Sequence, residues 1–134
     1  MAAPNFVFFL CDVQERFRPL IHRFSDVLAV AETMSRASSV LRVPLVVTEQ
    51  YPKGLQRTAA EVDASLRDGG GALLPHVAIF EKLRFSMMTG DVDAHLAAAA
   101  PGYDTAVLFG IEVRRGARGG ARAPARFSFP PPPS

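Results

Sequence analysis

The stretch that decides the fold is Asn5-Phe6-Val7-Phe8-Phe9-Leu10-Cys11, followed at once by Asp12. It is an unbroken apolar run of strand length, too short for a buried helix. Lacking polar alternation, it predicts a strand covered on both faces, as in the middle of a parallel sheet. Reading outward, Ser25–Leu41 is amphipathic: Val27, Leu28, Ala31, Met34, Ala37 and Leu41 recur at helical steps, and Ser25 is placed to cap the first turn. Val43-Pro44 ends that helix and opens a second strand, Leu45–Thr48. Glu49-Gln50-Tyr51-Pro52-Lys53-Gly54 then reads as a loop. Thr58-Ala59-Ala60-Glu61 has the capping-box pattern of a short helix reaching about Arg67, and Asp68–Gly71 breaks it. Val77–Phe80 is a third strand. Asp91 is placed to cap a helix running to Ala100, which Pro101-Gly102 stops, and Thr105–Phe109 is a fourth strand leading into Gly110-Ile111-Glu112.

The order β-α-β-α-β-α-β implies right-handed crossovers and an α/β fold with a parallel sheet between helical layers. Functional groups in such sheets gather beyond the carboxyl ends of the strands. Asp12, Glu49, Lys82 and Glu112 fall at those four ends. A shared site is the stronger reading of this recurrence; the weaker is a set of solvated loop charges. Gln14, Phe17 and Tyr51 lie near the same ends, as pocket wall or as ordinary packing.

At 134 residues the chain has room for one domain, and 49% hydrophobic content is enough for a core. Its net charge of +2 hides two unlike parts. Residues 1–113 carry ten Lys and Arg against thirteen Asp and Glu, a net of −3; residues 114–134 carry five Arg and no acid, a net of +5. The boundaries are therefore 1–113 for the domain and 114–134 for an Arg-, Pro- and Gly-rich tail, which is expected to be disordered. A single cysteine makes no internal disulfide, which fits a reducing compartment. The run Phe6–Leu10 is too short for a signal peptide or membrane span. The expectation is a soluble cytoplasmic chain, with a mitochondrial location left open. His22, His76 and His95 share no ligand spacing, so no metal is expected. Asp12-Val13-Gln14-Glu15 stands where a Gly-rich phosphate loop would follow the first strand, which argues against a dinucleotide cofactor. No cofactor is expected.

Four motifs in order carry a resemblance over about residues 5–113: Cys11-Asp12-Val13-Gln14-Glu15-Arg16-Phe17, Thr48-Glu49-Gln50-Tyr51-Pro52-Lys53-Gly54-Leu55, Glu81-Lys82-Leu83-Arg84-Phe85-Ser86-Met87 and Leu108-Phe109-Gly110-Ile111-Glu112. Together they resemble the isochorismatase-like cysteine hydrolases, in the eukaryotic isochorismatase domain-containing branch. The resemblance implies a Rossmann-like three-layer fold of about six parallel strands in the order 3-2-1-4-5-6, of which about four are expected here. It also implies hydrolysis of a small amide- or ether-type substrate by an Asp-Lys-Cys set. The family aspartate matches Asp12, as acid/base, and the family lysine matches Lys82, as electrostatic partner. The family cysteine falls at Gly116, where the pattern is lost. Substrate contacts are expected from Gln14, Phe17, Glu49 and Tyr51.

A thiolate nucleophile needs its pKa lowered by a cation or a helix N-terminus, and a carboxylate to take its proton. Cys11 is no substitute, since a cysteine inside a strand packs as a small apolar group. The expectation is an inactive member with an Asp12–Lys82 pair in place of a covalent catalyst. Some members cleave an enol ether without covalent catalysis by the cysteine, so loss of the thiol does not remove every chemistry. The alternative is a non-enzymatic subunit, as a homo-oligomer or joined to full-length relatives. A weaker alternative is RNA binding through Arg114, Arg115, Arg118, Arg122 and Arg126. The abrupt onset of the tail and its Pro130–Pro133 run favour a segment never selected for function. An uncovered fourth strand would lose several hundred Å² of apolar cover, on the order of 5–10 kcal/mol, leaving a marginal or aggregation-prone monomer.

Overall fold

The structure is a computed structural model that describes residues 5–84 and 86–111. The expectations at Glu112, at Gly116 and for the 114–134 tail lie outside the described residues. Four strands, β1 (Phe6–Cys11), β2 (Leu45–Gln50), β3 (Val77–Lys82) and β4 (Thr105–Gly110), form one all-parallel sheet in the order β3-β2-β1-β4. Phe8 pairs with Leu45 and Val107, and Leu45 with Val77, so the four strands are in close register. The helices are α1 (Phe24–Leu41), α2 (Pro52–Leu55), α3 (Ala60–Ser65) and α4 (Gly90–Ala99), with a short 3-10 turn at Glu15–Phe17.

The apolar runs place the strands as their composition predicts. In β1 only Phe6 is exposed, and β2 is buried throughout, whereas β3 and β4 at the two margins are mostly half-buried. Alternate residues serve two cores. Phe8, Leu10, Leu45 and Val47 face α1 and α3; Val7, Phe9, Cys11 and Val46 pack with Val92 and Leu96 of α4 and with Met87. The α/β class and the parallel sheet hold. Among the described residues, no helix is long and apolar enough to cross a membrane.

Several local expectations are corrected. Ser25 does not cap α1: the N-cap is Arg23 in the left-handed region, and no side chain bonds there. The capping box at Thr58–Glu61 does not form. The Thr58 hydroxyl instead donates to Glu49 at 2.9 Å, and Glu15 Oε1 accepts from the Ala60 amide at 2.8 Å at the start of α3. Asp91 sits in the first turn of α4, and Thr89 is its cap, accepting from the Val92 amide. β2 also runs two residues past Thr48. Glu49 and Gln50 are ladder residues: the Glu49 carboxylate accepts from the Thr58 amide, and the Gln50 backbone amide donates to Gln14 Oε1.

Candidate functional site

The β1 chain turns sharply at its carboxyl end. Asp12 has φ 47°, in the left-handed region that aspartate tolerates better than most residues. The turn brings its carboxylate over the α4 face, where strand alternation has already placed Thr48 two residues beyond Val46 and Lys82 two residues beyond Phe80. Oδ1 of Asp12 accepts from the Thr48 hydroxyl at 2.7 Å, and Oδ2 meets Lys82 Nζ at 2.9 Å. Lys82 also donates to the Arg84 carbonyl at 3.2 Å. Both members of the pair are only 4% exposed. At the same strand ends Gly110 has φ 110°, and a Cβ there would stand 2.5 Å from the Cys11 carbonyl oxygen. Only glycine lets β4 close against β1 at this point.

Asp12 and Lys82 are thus brought together, on β1 and β3 with β2 between them. Glu49 is not part of that group. It lies two residues beyond Val47 and so projects to the opposite face of the sheet, where Thr58 donates to Oε2 from its amide at 2.6 Å and Arg57 pairs with Oε1 at 3.1 Å. Its expected place beside the pair is corrected by the period-two geometry of a strand. Phe17 is buried in the core on that same α1–α3 face. Gln14 is fully buried as a clamp. Its Nε2 donates to the carbonyls of Gln50 and Gln56, and its Oε1 accepts from the Gln50 amide, all at 2.8 Å. Tyr51 is half exposed, with its ring against Gly54.

The α3 face also carries a cleft of about 610 Å³, lined by Glu49, Arg57, Asp63, Arg67, Glu81 and neighbouring residues. Its charges are committed to one another. The hydrogen bonds that Arg57 donates to Glu81 and Glu49 raise its guanidinium pKa above the ordinary value, and the bond to Asp63 does the same for Arg67. Glu15, at the rim, is held below the usual carboxylate range, first by its hydrogen bond from Arg18 and then by the Ala60 amide. This cleft and the Asp12–Lys82 pair lie on different sides of the sheet.

The Glu49-Gln50-Tyr51 stretch is expected from the sequence to offer substrate contacts from a loop, and the structure instead makes Gln50 the last residue of β2. Gln50 shares the Thr48 face and pairs in register with Lys82, and its Oε1 is buried without a hydrogen-bond partner. Only the unexpected length of β2 could have signalled it. Cys11, the one cysteine of the sequence, is buried beside the Met87 sulfur at the end of β1. Among the described residues, no group of three or more His, Cys, Asp or Glu is placed to hold a metal ion.

The architecture defines a class: a parallel α/β domain with a buried aspartate–lysine pair beyond the carboxyl ends of its strands. Comparison with known proteins narrows it. No family model matches the chain. It is 44% identical over 106 residues to isochorismatase domain-containing protein 1 of Danio rerio, covering 79% of this chain and 34% of that protein. It is 39% identical over 108 residues to isochorismatase domain-containing protein 2 of the same organism, covering 81% of this chain and 49% of the relative. Among solved structures, MAR1 ribonuclease from Caenorhabditis elegans superposes with a TM-score of 0.68 at 30% identity, over 84% of this chain and 53% of that one. The chain belongs to the isochorismatase domain-containing protein family of isochorismatase-like hydrolases. It spans between a third and about half of the length of the relatives it matches.

Proposed function

We propose that this chain is a catalytically silent member of its hydrolase family, in which the aspartate–lysine pair serves as a buried structural tie. The observation that carries the reading is the saturation of the pair. Both oxygens of Asp12 are engaged, by Thr48 and by Lys82, and both charged groups are withdrawn from solvent. A general base must reach the proton it takes, and a nucleophile must reach its carbonyl carbon. The sequence offers one thiol, and it belongs to the second core beneath the strand ends. By family resemblance the nucleophile's place is Gly116, which has no side chain to attack with. In longer relatives, hydrolysis of a small amide- or ether-type substrate is the activity that such a pair would serve; here its contribution is to stability.

Steady-state hydrolysis of a panel of small carboxamides, esters and enol ethers tests this. The expected rate equals that of the Asp12→Asn variant at every substrate concentration. Turnover that saturates with substrate and disappears in Asp12→Asn would overturn the reading.

A further inference from the structure

We propose that residues 51–58 form a sprung strap at the carboxyl ends of β1 and β2, clasped by Gln14 and Glu49, whose local opening admits water to the Asp12–Lys82 pair. The strain sits at the two hinges of the strap. α2 is flanked by Tyr51, at φ 39° and ψ 62°, and by Gln56, at φ 65° and ψ −171°. The first is left-handed, a region that bulky residues rarely enter. The second lies in a region that essentially glycine alone occupies, because a Cβ crowds the backbone there. The Gln56 side chain is exposed, so no burial compensates the strain.

Strained residues persist only where their surroundings over-determine them, and here the clasp is specific. One buried nitrogen, Gln14 Nε2, donates to the carbonyls of Gln50 and Gln56, gripping the strap at both ends. Past Gln56, the Glu49 carboxylate accepts from the Thr58 amide at 2.6 Å and from its hydroxyl at 2.9 Å. The Glu15 amide donates to the Arg57 carbonyl at 3.0 Å, and the Ala59 amide to the Val13 carbonyl at 2.9 Å. The strap therefore returns along the segment that follows Asp12.

It also flanks the other member of the pair, since the Tyr51 amide donates to the Lys82 carbonyl at 2.8 Å. Between the hinges little holds it down: no residue of α2 is fully buried, and Leu55 is only partly so against the first core. Opening relaxes both hinges and releases polar groups whose hydrogen bonds water can replace. Segments with few buried contacts and strained backbone open locally, well below the cost of global unfolding. The device is separate from turnover: it holds whether or not the pair acts on a substrate.

Native-state hydrogen exchange on the full chain tests the proposal. The amides of Leu55, Gln56 and Thr58 are all hydrogen-bonded. They should share one protection factor, about tenfold or more below that of the β1 and β2 ladder, and the Lys82 ammonium protons should exchange through the same opening. Gln56→Gly removes the crowded Cβ. The freedom that glycine gains in the open state offsets part of the relief, so protection of the strap and of the Lys82 protons should rise about fivefold. Gln56→Ala keeps the Cβ and should leave both as in the wild type. Far-ultraviolet dichroism checks that each variant is folded, and the wild-type comparison needs no variant. Strap amides that exchange only together with the ladder, no rise in Gln56→Gly, an equal rise in Gln56→Ala, or Lys82 protons indifferent to Gln56→Gly would each overturn it.

Discussion

Removing Lys82 isolates the interaction on which the strand-end centre depends. In Lys82→Met the ammonium is lost, while Asp12 stays where β1 and the Thr48 hydroxyl hold it, 4% exposed. A buried carboxylate without its counter-ion costs about 3–5 kcal/mol. Thr48 still offsets part of this through its 2.7 Å hydrogen bond, so the lower half of that range is expected. Asp12→Asn is the matching change on the other side. Asparagine tolerates the left-handed backbone at φ 47°, so no strain is added, and the remaining ammonium keeps the Arg84 carbonyl at 3.2 Å. The double variant replaces an ion pair by neutral groups of similar volume. That exchange is often close to neutral, so it should be more stable than Lys82→Met alone. Urea unfolding of the four proteins closes the cycle. With a slope of about 1–2 kcal/mol per M for a small domain, the Lys82→Met midpoint should fall by about 2 M, and the coupling energy should reach about 2–3 kcal/mol. If Lys82→Met costs less than about 1 kcal/mol, or if the two single effects simply add in the double variant, the pair is not a buried tie and the reasoning fails.

Two further predictions concern the supports of the site. Gln14→Leu removes three hydrogen bonds and strands the amide and carbonyl of Gln50; a loss of about 3 kcal/mol in the same urea assay is expected, and a loss under about 1 kcal/mol would deny the clamp. His76, which meets the Ser38 hydroxyl at 3.0 Å, has its pKa lowered by burial. Below about pH 6.5, the ordinary histidine value, the unfolded chain binds more protons than the folded one at this position. Stability therefore falls as pH drops from that value towards the lowered folded pKa, and this contribution is fully present above it. His76→Gln should flatten the decline between neutral and mildly acidic pH; an unchanged slope would assign the effect elsewhere.

The sheet was legible because its strands advertise themselves. The continuous run at Phe6–Cys11 and the helical steps across Val27–Leu41 admit few other readings, and the four strands lie where those patterns put them. The helix starts were less legible. Ser25, Thr58 and Asp91 have the chemistry of caps, yet tertiary partners claimed Thr58, and backbone geometry put the caps at Arg23 and Thr89 instead. The site was half legible. Asp12 and Lys82 meet, but Glu49 does not join them, since one position along β2 separates the two faces of the sheet. Whether a residue ends a strand or continues it decides that parity, and Glu49 and Gln50 read as loop because they are polar. Their partners, Thr58, Arg57 and Gln14, are distant in sequence or reach them only through the fold. The left-handed turn that swings Asp12 onto the α4 face has no signature in composition.

The central proposal, that among the described residues a buried pair stands without an accessible thiol nucleophile, is tested most directly by intact-protein mass spectrometry after exposure of the folded chain to a small activated acyl ester. The account predicts no stoichiometric adduct under native conditions, and modification of Cys11 only once the chain is unfolded. A single acyl group acquired by the native protein in full yield, and lost in both Asp12→Asn and Lys82→Met variants that remain folded, would contradict it.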